Sequence, residues 1–170
     1  MSISQSFLGE FEHEAATTRK CLERVPEDKL TWKPHEKSFS LGDLAGHIVT
    51  MSTVWAEVTV NQDVFDMHPP GGEMYQEPKV TNIPALLAKY DEGIAKVKAA
   101  MAATDDAKWM TNWSLAMQGN TIMTMPRVAV MRSFVFNHII HHRGQLSVYL
   151  RELNVAVPSI YGPSADEGNM

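Results

Sequence analysis

Asn137-His138-Ile139-Ile140-His141-His142-Arg143-Gly144-Gln145 decides how this 170-residue chain is read. It sits inside a longer run, Arg127 to Leu153, in which Val128, Val135, Ile139, Leu146, Leu150 and Leu153 recur at helical intervals. The spacing predicts an amphipathic helix, the last and longest of the chain. On such a helix residues four apart share a face, so His138 and His142 project together with Cβ atoms about 6 Å apart, and both imidazoles can meet one metal ion. His141 turns about 60° away from His138 at 100° per residue, so it is expected to be exposed or an outer partner rather than a ligand. Two imidazoles do not complete a site, because structural zinc takes four protein ligands and catalytic zinc three plus a water.

The third ligand has to come from another element, which requires reading outward. Leu41 to about Val60 is a second apolar stretch. Ser40-x-x-Asp43 stands before it as a capping box, and His47 shares a face with Leu44, Met51, Val54 and Val58. That face must point at the core, and a buried imidazole needs a partner. Two further helices are predicted: Ser4 to Val25, through Phe7, Phe11, Ala15, Thr18, Leu22 and Val25, and Asn82 to Ala103, with Pro84 in its first turn. Between them, Pro26 to Phe39 is a connection whose Leu30 and Trp32 should fold onto the core. Asn61 to Thr81, with Pro69-Pro70-Gly71-Gly72 and Pro78, is too rich in helix breakers for regular structure and long enough to cover a site. Thr104 to Pro126 reads as a short helix followed by a hairpin-like excursion around Gly119-Asn120. The tail from Val157 to Glu167 reads as an extended cover.

Length and composition bound the rest. With 44% hydrophobic residues the chain can bury one substantial core, so residues 1–170 are expected to form a single domain of the all-α class, a four-helix bundle. A net charge of −5 without a basic run argues against nucleic acid as a partner. No stretch approaches the ~20 apolar residues that span a bilayer, and no leader-like start is visible, so a cytoplasmic location is expected. Cys21 is the only cysteine, which rules out an internal disulfide and reads as a buried core residue. Glu10-x-x-His13 has the spacing of a di-iron carboxylate pair, but no second copy exists, and it reads as a solvated face. His35 and His68 lie beside prolines in polar turns.

His47, His138 and His142 are therefore the expected metal ligands, with contacts of about 2.0–2.2 Å to one divalent ion. Three neutral imidazoles suit Zn²⁺, Ni²⁺, Fe²⁺ or Co²⁺ and leave positions open for a water or a thiol. Ile139 stands where a His-Glu-x-x-His metalloprotease carries its general base, so peptide hydrolysis by that route is disfavoured. The motif helix offers Gln145 and Tyr149 but no carboxylate; a base for water would have to come from another segment.

Leu30-Thr31-Trp32-Lys33-Pro34, Ser40 to His47, His138-x-x-x-His142-Arg143-Gly144-Gln145 and Pro158 to Asp166 together resemble the DinB/YfiT-like metalloenzymes. The resemblance implies an up-down-down-up four-helix bundle, a metal triad of His47, His138 and His142, and a homodimer. It also implies an enzyme acting on a small-molecule substrate, since members of that family include thiol-dependent S-transferases and a mycothiol-dependent maleylpyruvate isomerase. A low-molecular-weight thiol thus joins the divalent metal as an expected cofactor. A metal-dependent hydrolase and a non-catalytic metal-binding or stress-response module are the alternatives.

Overall fold

Three of the four long helical runs begin where a side chain takes over an unpaired backbone donor of the first turn. The computed structural model describes residues 2–168. Helix α1 (Ile3–Glu23) opens on a reciprocal box in which Ser2 Oγ accepts from Gln5 N and the Gln5 side chain accepts from Ser2 N. Helix α2 (Leu41–Thr50) starts at Ser40, whose Oγ accepts from Asp43 N at 3.1 Å. The reciprocal half of that box is absent: Asp43 takes the Ser40 hydroxyl instead, and Leu41 N and Gly42 N go to the carbonyls of Trp32 and Leu30. The Pro26–Phe39 connection is thereby sewn to the start of α2, with Leu30 and Trp32 packed on the core. Asn82 caps α4 (Ile83–Ala102), with proline in the first turn.

Two helices carry a π-turn. Helix α2 passes through residues 51–55 into α3 (Ala56–Asn61), and α6 (Arg127–Val130) passes through residues 131–136 into α7 (Asn137–Glu152). An extra residue per turn shifts the buried face, so Val130 and Met131 are buried ahead of Val135, whereas Val128, expected from an unbroken period, is only half-buried. Val54 is likewise only half-buried, packed in the same cluster as Val58. The two π-turns touch each other, and the first lies against α4 at Gly93, where a Cβ would come within 2.4 Å of Thr53 Cγ2.

The protein is mostly helical, and its long helices pack α1 on α4 and α7, and α2 on α4 and α7. Phe7, Phe11, Trp109, Phe136 and Ile139 form the apolar core at one end; Leu41, Leu44, Tyr90, Leu146 and Leu150 form it at the other. The all-α expectation needs one correction, a three-stranded sheet in the order β1 (Val64–Asp66), β2 (Asn112–Met117), β3 (Asn120–Pro126). Helix α5 (Asp106–Trp109) precedes the hairpin, as the short-helix reading anticipated. Its turn centres on Gln118-Gly119, both at positive φ (53° and 75°), one residue earlier than Gly119-Asn120. Trp113 and Leu115 alternate inward with a period of two that helix-oriented reading overlooks. β1 pairs in parallel with β2 from inside the stretch expected to be irregular. Among the described residues no helix is long and apolar enough to cross a membrane.

Candidate metal centre

The packing of α2 on α7 brings His47 to face His138 and His142, and one nitrogen from each of the three lies within 4.8 Å of the others. His47 Nε2 and His138 Nε2 are 3.1 Å apart, and the ring centroids are separated by 4.6 to 5.1 Å. Two nitrogens that share an ion at about 2.1 Å, with angles between right and tetrahedral, lie about 3.0–3.4 Å apart, so the His47–His138 spacing fits one cation.

Hydrogen bonds on the outer nitrogens of His47 and His142 leave the Nε2 atoms of those two rings free. Glu77 Oε1 lies 2.8 Å from His47 Nδ1, and a carboxylate only accepts, so Nδ1 carries the proton and Nε2 presents a lone pair. Gln145 Oε1 lies 2.7 Å from His142 Nδ1 and fixes that ring the same way. The Gln145 amide then donates to His141 Nε2 at 3.1 Å. His141 is exposed and turned aside, as the helical wheel required. This is the arrangement of ligating histidines whose second nitrogen is held by a carboxylate or amide. Burial, reinforced by the neighbouring imidazoles, pushes the pKa of His138 down to about 4, and burial likewise lowers that of His142. Both rings therefore favour the neutral form that binds a metal.

Beside His142 opens a cleft of about 230 Å³ lined by Lys37, Ser38, Phe39, Gln145 and Tyr149. Phe39 stacks on His47 with centroids 5.5 Å apart, and Tyr149 donates to Phe39 O at 3.3 Å, so the loop before α2 forms the wall. None of the lining residues is acidic, and Lys37 is the only charged one.

The remaining candidates lie elsewhere. His13 is exposed and stacks on Tyr161, and Glu10 pairs with Arg132, so their solvated-face reading agrees with their surroundings. His35 accepts from Lys37 N in its turn, and His68 sits at the hairpin. Cys21 is fully buried and its thiol pKa is pushed up to about 11 by that burial. Reading the sequence missed Glu77 and Phe39. Glu77 is thirty residues from its partner, inside a Gly/Pro-rich loop, and no local period marks it.

The comparisons agree with this architecture. The Bacillus subtilis protein YrdA is 29% identical over 162 residues, covering 95% of this chain and 89% of its own. YjoA of the same organism is 24% identical over 156 residues, covering 90% and 92%. Among solved structures, a DinB-like protein from Bacillus cereus superposes with a TM-score of 0.72 at 23% identity, covering 94% of this chain and 98% of its own. The structure of YjoA superposes with 0.67 at 22%, covering 92% and 99%. At those identities the superpositions speak for the fold. The DinB family model matches residues 1–169, and with it the sequence, the histidine cluster and the fold converge: the chain belongs to the DinB family.

Proposed function

We propose that His47, His138 and His142 hold one divalent metal ion and that the protein is a thiol-dependent transferase or isomerase acting on a small molecule. When bound at three neutral imidazoles with positions open, such an ion lowers the pKa of a thiol or a water that reaches it. The choice between the two rests on one observation: the cleft at the triad offers no free base. Its lining holds no carboxylate, and Glu77 is engaged by His47. Tyr149 gives its proton to Phe39 O, and both ends of the Gln145 amide are used by histidines. Water, far from acidic on its own, is poorly served by such a site. A thiol, with a solution pKa of about 8.5, needs much less help.

The cleft that His142 and Phe39 line supports turnover over mere metal storage. Lys37 and the cation together favour a substrate or thiol bearing an anionic group. The same reading takes the four long helical runs as an up-down-down-up bundle and the protein as a cytoplasmic homodimer, for which light scattering should give about twice the 19.0 kDa chain mass.

The test is to assay metal-reconstituted protein against electrophiles with and without low-molecular-weight thiols. We expect consumption of electrophile that depends on the thiol and disappears in His47→Ala. Robust hydrolysis without thiol, and no thiol-dependent activity across a broad panel, would replace the transferase with a hydrolase.

A further inference from the structure

The loop between α3 and α4 is pinned at several points on either side of Glu77. Tyr75 N donates to Met67 O at 2.7 Å, and the Tyr75 ring meets Phe65 edge-on at 5.8 Å. At the other end Ile83 N donates to Glu27 Oε2 at 2.8 Å. Between these anchors the segment from Pro78 to Val80 lies directly on α2. A Cβ at Gly46 would be 3.0 Å from Val80 Cγ2 and 3.5 Å from Pro78 O, so a glycine one residue before His47 is what lets the segment approach. The half-buried His47 ring then receives the Glu77 carboxylate at 2.8 Å from Nδ1.

We infer that Glu77 is a positioning residue for the metal centre: it holds the His47 proton on Nδ1, so that Nε2 stays a lone-pair donor turned toward His138 and His142, and it ties the α3–α4 loop to the loaded site. This rests on the metal reading above. Two features separate it from an incidental surface contact. The carboxylate addresses the one nitrogen of His47 that does not face the other histidines. It is also the only acidic group within hydrogen-bond reach of any of the three rings among the described residues. Among the described residues His142 has a neutral amide in the same role and His138 has no such partner, so His47 alone of the three carries a carboxylate on its outer nitrogen.

The experiment uses the full-length chain, stripped of metal and titrated with Zn²⁺ against a chromophoric chelator, with Co²⁺ absorption as a second readout. Parent, Glu77→Gln and Glu77→Ala are compared, with His47→Ala as the loss-of-ligand control. We expect Glu77→Ala still to take up one equivalent of Zn²⁺ at saturation but with a Kd raised about 10–100-fold, the usual effect of losing such a partner. Glu77→Gln, which keeps an acceptor without the charge, should fall between. The Co²⁺ spectrum should shift in Glu77→Ala while the metal-free melting midpoint stays at the parent's value, because Glu77 is one-third exposed. A Glu77→Ala Kd within twofold of the parent, while His47→Ala loses the metal, would overturn the positioning role and leave the metal site standing. Failure of Glu77→Ala to reach one equivalent at saturation would make Glu77 a ligand and overturn it too. A parent that binds no Zn²⁺ would remove both readings at once.

Discussion

Arg143→Ala should lower the unfolding free energy by roughly 3–5 kcal/mol, the cost of leaving a buried charge without its partner. Arg143 is 1% exposed and Glu14 is 5% exposed. Their side chains meet at 2.7 Å, and the same guanidinium donates to Glu14 O, to Thr18 Oγ1 and to Tyr161 Oη. The Tyr161 hydroxyl in turn donates to the Glu14 carboxylate. One arginine on α7 thus satisfies α1 and holds the C-terminal tail across both. Alanine would strand the Glu14 carboxylate in a site prepared for an ion pair. Urea unfolding of the metal-free protein checks this: the midpoint should drop steeply at nearly constant slope, and the Glu14→Leu/Arg143→Met double variant should recover much of the loss. A drop below about 1 kcal/mol, typical of an exposed pair, would show that the network contributes little.

His138→Ala and His142→Ala should each weaken metal binding by more than about 100-fold, beyond what the loss of an outer partner costs, while His141→Ala stays within a few-fold of the parent. The three histidines lie within five residues of one another on α7, yet only two turn toward His47. His141 instead receives the Gln145 amide at the surface, and its removal leaves the Gln145 contact to His142 in place. Elemental analysis after gel filtration separates these outcomes. Equal loss in the His141 and His142 variants would mean that the reading has the wrong face of α7.

The histidine triad of the candidate site was legible because it lies on helices, where spacing fixes direction: His138 and His142 by their interval of four, His47 by the apolar face it shares with Leu44 and Met51. Its outer side was not. Glu77 reaches His47 only through a pinned irregular loop, and Phe39 only through the turn that feeds α2. The helices were readable from their apolar period and their caps, but the π-turns at 51–55 and 131–136 leave no such mark. Gly93 lies opposite Thr53 in the first of them. The sheet was half-visible: Gly119-Asn120 suggests a hairpin, whose turn lies one residue earlier, whereas β1 has three residues and gains its identity only from pairing with β2. No local spacing pairs Glu14 with Arg143, 129 residues apart on two helices and joined by Tyr161 of the tail.

The most direct test of the central claim is a crystal structure of the full-length protein loaded with one equivalent of Zn²⁺, with anomalous scattering recorded on both sides of the zinc edge. The account predicts a single strong anomalous peak about 2.0–2.2 Å from Nε2 of His47, His138 and His142, with Glu77 and Gln145 still on the opposite nitrogens of His47 and His142. A peak held by His141, or no peak between α2 and α7 in crystals shown to contain stoichiometric zinc, would contradict it.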